Sequence, residues 1–122
     1  MSEAARAVAL GVRRDAVIVD PGHDFGKSTR HSLEATRRLP ELVATGWPVL
    51  VSLSRKDFVG EALDVAAPVD RLTGTLATTA VSAWLGARVY RAHDVAATRQ
   101  TLDMVAAIAG TRPPAVARRG LA

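Results

Sequence analysis

Three short β-branched runs set most of what this chain can fold into: Ala16–Val19, Pro48–Leu53 and Val89–Arg91. Each is too short for a helix, is almost continuously apolar, and ends in charged or polar residues. Such runs suit strands covered on both faces, as in a parallel sheet. Parallel strands need long crossovers, and helix-length segments lie between the runs. Ser32–Gly46 puts Leu33, Leu39, Leu42 and Val43 on one stripe and stops at a glycine; Pro40 predicts a kink or a fresh helix start. Arg71–Gly86 and Val95–Ala109 read as helices, the second closed by Gly110. Residues 2–10 read as the end of another helix, closed by Gly11. The predicted order is α-β-α-β-α-β-α, a parallel α/β sheet built from βαβ units. The Pro/Arg-rich residues 111–122 read as an irregular tail, which leaves 1–110 as one domain.

Three strands are few. A (β/α)8 barrel has eight in about 250 residues, and this chain has 122. It is either a very small α/β domain or a part of a larger barrel. The absence of Cys excludes a disulfide framework, a Cys-based zinc site and a thiol nucleophile. No apolar run approaches the roughly 20 residues of a membrane span, and the start "MSEAARAVALGVRRD" lacks a secretory h-region, so a cytoplasmic location is expected. The net charge of +4 is spread over scattered Arg residues with few aromatics. That pattern disfavours nucleic acid and suits a small anionic substrate equally well.

Sites in parallel α/β folds gather at the C-terminal ends of the strands. Asp20 and "PGHDFGK" follow the first run, Ser54, Arg55 and Lys56 the second, and Arg91, Ala92, His93 and Asp94 the third. Each has an ordinary reading. An Asp before Pro-Gly caps turns, a lone Lys is commonly solvated, and His93 has no second His at i+4 to complete a zinc pair. His23 and Asp24 read as loop residues for which the sequence offers no partner. The signal is that all three strand ends turn polar at one face. A phosphate loop is not supported: three residues, not four, separate Gly22 from Gly26, and no G-x-G-x-x-G occurs.

The blocks "DPGHDFGK", "PVLVSLSRKDFVG" (Pro48–Gly60), "RLTGTLATTAVSAWLGA" and "RAHDV" (Arg91–Val95) stand in an order and spacing that resembles dihydropteroate synthase. The resemblance runs from about Arg6 to Gly110 and implies a pterin-binding (β/α)8 barrel, of which only the last three βα units are present. The family's "N-x-T-P-D-S-F" motif has no equivalent here. The implied reaction joins 4-aminobenzoate to 6-hydroxymethyl-7,8-dihydropterin diphosphate, releasing pyrophosphate with Mg²⁺ assisting; the metal's protein ligand is expected in the absent N-terminal half. By resemblance, Asp20 accepts from the pterin ring, Lys56 donates to it near the reacting methylene, and Arg91 and His93 hold the diphosphate. Phe25 and Ser54 border the aminobenzoate. The departures are His23 and Asp24, where the family has an apolar residue and Gly. A carboxylate at Asp24 would repel the aminobenzoate carboxylate. That change resembles a diverged actinobacterial paralogue thought to lack the activity.

An open barrel exposes strand edges, so this transferase-type chain is expected to be inactive by itself. The alternative is a non-catalytic module that binds pterin or diphosphate. Folate-dependent corrinoid methyltransferases share an Asp-lined pterin pocket but have no need of both the Ser-Arg-Lys and Arg-x-His sets. The resemblance also implies a homodimer through the helices at Arg71–Gly86 and Val95–Ala109.

Overall fold

The computed structural model describes residues 2–24 and 26–120. The chain starts with helix α1 (Glu3–Ala9), whose cap Ser2 accepts from the Ala5 N–H through its hydroxyl. A 3-10 turn at Arg14–Ala16 follows. Helix α2 (Thr29–Arg37) is capped by Ser28, and α3 (Leu39–Val43) starts afresh beside Pro40 in its first turn. That restart is what Pro40 predicts: its ring cannot continue a helix but suits the opening of one. Strand β1 (Leu50–Ser52) leads into α4 (Asp57–Leu63), a 3-10 turn Pro68–Arg71 and α5 (Leu72–Trp84). Strand β2 (Val89–Arg91) and α6 (Val95–Ala109) complete the order. Gly110 ends α6 at φ 81°, a left-handed conformation that glycine adopts without strain. Residues 111–120 hold no helix or strand.

β1 and β2 pair in parallel, with Leu50 opposite Val89, Val51 opposite Tyr90 and Ser52 opposite Arg91. The expected first strand, Ala16–Val19, is corrected to a single parallel bridge between Val19 and Val49. Ala16 belongs instead to the preceding 3-10 turn. A strand runs only as far as its ladder, and among the described residues Val19 pairs on one side alone. β1 is the central segment. The Val19 N–H donates to Pro48 O and the Leu50 N–H to Val19 O on one side, while the Arg88 and Val89 N–H groups reach Val49 O on the other. The sequence pattern does not show the helix α4 or the turn before α5. The run "KDFVGEAL" is too short to show a helical period by itself.

The core gathers Leu39, Val49, Val51, Leu53, Phe58, Val59 and Ala87, so it lies where α3 and α4 cover β1. α5 packs chiefly on α6, and α2 on α4. No helix among the described residues is long and apolar enough to cross a membrane.

Candidate functional site

The segment after β1 is the most constrained part of the rim. Arg55 takes a left-handed φ of 55°. Two residues from the following helical segment hold it there. Thr75 Oγ1 accepts from the Arg55 N–H at 3.1 Å, and the Arg71 guanidinium donates to the Arg55 carbonyl at 2.9 Å. Arg71 is buried, and all three of its guanidinium nitrogens donate: it also bonds Val65 O, Ala66 O and Asp57 Oδ1, at 3.1, 2.7 and 3.0 Å. A cation at a helix start opposes the macrodipole, so its presence there signals another task. Here that task is to fix the loop carrying Lys56. Neither Arg71 nor Thr75 was singled out from the sequence, and the misplaced charge of Arg71 was the available clue.

Lys56 is half-buried, and its Nζ donates to the His23 carbonyl at 2.8 Å. Burial holds its ammonium below the ordinary lysine pKa, and Arg91 adds to that effect, while Asp20 and Asp24 oppose it. Lys56 therefore lies within the electrostatic reach of both carboxylates and of the Arg91 guanidinium. The Arg91 Nε donates to Ser52 Oγ at 2.8 Å, across the β1–β2 pair. The His93 N–H donates to Ser54 Oγ at 3.1 Å, which ties the third strand end to the second. His93 itself is exposed. Asp20 is exposed, and its Oδ1 accepts from the Gly22 N–H at 2.7 Å, so it is at least a turn residue, as its ordinary reading predicts. Phe25 lies outside the described residues.

His23 and Asp24 correct the expectation of loop residues without partners. His23 is fully buried and stacks on Phe58, with ring centroids 5.3 Å apart. The Thr36 hydroxyl donates to Ser32 O at 3.1 Å, so Thr36 Oγ1 acts as acceptor for His23 Nε2 at 2.8 Å. The ring is then the Nε2–H tautomer, and its buried Nδ1 finds no hydrogen-bond partner among the described residues. Desolvation, with help from Lys56, lowers the His23 pKa to about 4. Asp24 takes φ 69°, its N–H donates to Ser32 Oγ at 3.1 Å, and its Oδ2 accepts from the Asp57 N–H at 2.8 Å. The sequence hid both because their partners lie on α2 and α4.

A cavity of about 270 Å³ is lined by His23, Asp24, Ser54, Arg55, Lys56 and Asp57. Asp20 and Arg91 are not among its lining residues. Among the described residues no three His, Asp or Glu side chains come together as metal ligands.

The sequence profile of the family described as pterin binding enzyme matches residues 1–93. Inactive dihydropteroate synthase 2 of Mycobacterium leprae (strain TN) is 61% identical over 119 residues, covering 98% of this chain and 40% of the relative. Dihydropteroate synthase of Escherichia coli (strain K12) is 36% identical over 107 residues, covering 88% and 38%. The crystal structure of dihydropteroate synthase from Thermus thermophilus in complex with 4-aminobenzoate superposes with a TM-score of 0.80 at 43% identity, over 86% of this chain and 40% of that one. The chain spans about 40% of the length of the curated relatives it matches. Its parallel strands and flanking helices are thus a part of a (β/α)8 barrel, not a closed one. The chain belongs to the pterin-binding dihydropteroate synthase family and carries the C-terminal βα units of its barrel.

Proposed function

We propose that this chain contributes the diphosphate-facing half of a pterin diphosphate site of the dihydropteroate synthase type, and that it does not complete the condensation by itself. One observation carries the reading: the Lys56 ammonium is partly stripped of water and fastened to the His23 carbonyl at 2.8 Å, at the end of the β1 segment whose Ser52 anchors Arg91 at 2.8 Å. A carboxylate suits the planar donor edge of a pterin, and the Lys56 and Arg91 cations suit a diphosphate. In the family reaction the amine nitrogen attacks the pterin methylene, the C–O bond to the diphosphate breaks, and negative charge gathers on the departing pyrophosphate. Arg91, Lys56 and, on the neighbouring loop, His93 are the groups to stabilise that charge. Ser54, on the loop after β1, borders the second substrate. The name of the M. leprae relative supports a chain without turnover. Pairing of two copies through α5 and α6 belongs to the same reading, supported by the exposure of Trp84 and Ile108 on those helices.

Titration calorimetry of the 122-residue chain with 6-hydroxymethyl-7,8-dihydropterin diphosphate tests the binding. Lys56→Ala and Arg91→Ala are each expected to weaken it by about 10-fold or more, the scale of a charge-assisted contact. Absence of binding in the wild type removes the pterin diphosphate reading. Dihydropteroate formed on adding 4-aminobenzoate removes the claim that the chain does not turn over.

A further inference from the structure

The cavity beside Lys56 has walls that attract an anion: Lys56, Arg55 and the Ser54 hydroxyl. Its neighbouring donors are nevertheless engaged by the chain's own carboxylate. The Asp57 N–H donates to Asp24 Oδ2 at 2.8 Å, and the Ser32 hydroxyl lies 3.5 Å from Asp24 Oδ1. Lys56 feels Asp24 as a nearby negative charge. The carboxylate is held in place from behind. Asp24 sits at φ 69°, which Asp tolerates better than most residues, and its N–H is fastened to the fully buried Ser32. Asp57 adds a second carboxylate to the lining.

We propose that Asp24 is the specificity-determining residue of this cavity: its carboxylate takes the place of an anionic ligand and closes the cavity to aromatic carboxylates such as 4-aminobenzoate. A carboxylate arriving there meets a like charge at short range and finds the adjacent donors taken. An uncharged aromatic amide of the same shape escapes the like charge, which is the larger obstacle. The excluded ligand is identified through the pterin diphosphate reading, and on that point the inference rests on it; the exclusion itself rests on the hydrogen bonds of Asp24.

The test compares 4-aminobenzoate with its uncharged counterpart 4-aminobenzamide, by ligand-observed NMR titration of the full chain and of Asp24→Asn and Asp24→Gly. Both replacements tolerate a positive φ. Asn keeps an acceptor for the Asp57 N–H and removes the charge, whereas Gly removes the side chain altogether. The wild type is expected to bind the amide more tightly than the carboxylate. Each variant is expected to shift the ratio toward the carboxylate by about 10-fold or more. A general loosening of the loop moves both ligands together and leaves the ratio where it was. An unmoved ratio in the variants overturns the assignment, as does a wild type that prefers the carboxylate or a set of proteins that binds neither compound. Pterin diphosphate titrated into the wild type separates the two readings. If it binds while the ratio is unmoved, only the role of Asp24 falls; if it fails to bind while the ratio shifts, only the pterin diphosphate reading falls.

Discussion

His23 is a basic group held where a proton is unwelcome. Its Nε2–H is directed at Thr36, its face rests on Phe58, and among the described residues Nδ1 has no acceptor that a second N–H could reach. In the unfolded chain the ring takes up a proton near pH 6.5, but in the folded chain only near pH 4. Between those values the unfolded state binds the extra proton. The stability that follows is fully present above about pH 6.5 and is lost as the pH falls to about 4, amounting to about 3 kcal/mol. Urea midpoints measured from pH 7 to pH 4 are expected to fall accordingly, and His23→Phe to flatten that part of the profile. Equal slopes for the two proteins would dismiss His23 as the source. At this scale the sequence was half legible. Lys56 and Arg91 could be placed because strand ends converge on one rim, a rule of the fold. His23 and Asp24 could not, because a buried ring is defined by what closes over it, and Thr36, Ser32 and Asp57 arrive from other elements.

Among the elements, α4 and the turn before α5 meet through one guanidinium. Gly60 on α4 lies against Arg71, and a Cβ added there would stand 2.4 Å from Nε and 2.5 Å from Cζ. Glycine inside a helix is a weak choice by propensity, about 1 kcal/mol worse than alanine. Contact with Arg71 outweighs it, because four hydrogen bonds prevent that side chain from moving aside. Gly60→Ala is therefore expected to destabilise by about 1–3 kcal/mol, as overpacking does. Arg71→Met orphans the Arg55, Val65 and Ala66 carbonyls and is expected to cost about 3 kcal/mol. The ion pair with Asp57 adds little, since the Asp57 side chain is 87% exposed. In the Arg71→Met background the Gly60→Ala penalty should nearly vanish. Additive penalties in a double-mutant cycle by urea denaturation would show that the two residues do not oppose each other. The same region marks where element reading from sequence stopped. α5 and α6 declared themselves by length and closing glycines, and Pro40 by its ring. α4 has seven residues, and its helix is set by the Asp24 cap and the Phe58 and Val59 contacts with the core. Those are tertiary facts that a local period does not contain.

For the whole molecule, the arrangement of segments around β1 decides where stability lies. β1 is flanked by Val19 on one side and β2 on the other, and it supplies Val51, next to Val49 and Leu53, to the core. The flanking segments each carry an outer edge without a ladder among the described residues, and Ile18 beside the Val19 bridge is 53% exposed. The first predicted strand is one bridge because its pairing does not run past Val19 and the 3-10 turn Arg14–Ala16 takes its first residue; β2, paired on one side as well, keeps a three-residue ladder. α1 contributes a single buried residue, Ala4, and packs only weakly on other elements. Amide exchange follows opening free energy, from near zero at fraying ends to the global value in the core. The slowest exchange is therefore expected at Val19 and Leu50 and along the β1–β2 ladder, followed by α5, where Thr75, Thr79 and Ser82 are buried against the rest of the chain. α1 and residues 111–120 are expected to exchange fastest, within the range of unprotected chain. Ile18, adjacent to a bonded residue but outside the ladder, should exchange far faster than Val19. A hydrogen-exchange map in which α1 is as protected as β1, or in which Ile18 and Val19 exchange alike, would mean that the sheet is organised around a different centre.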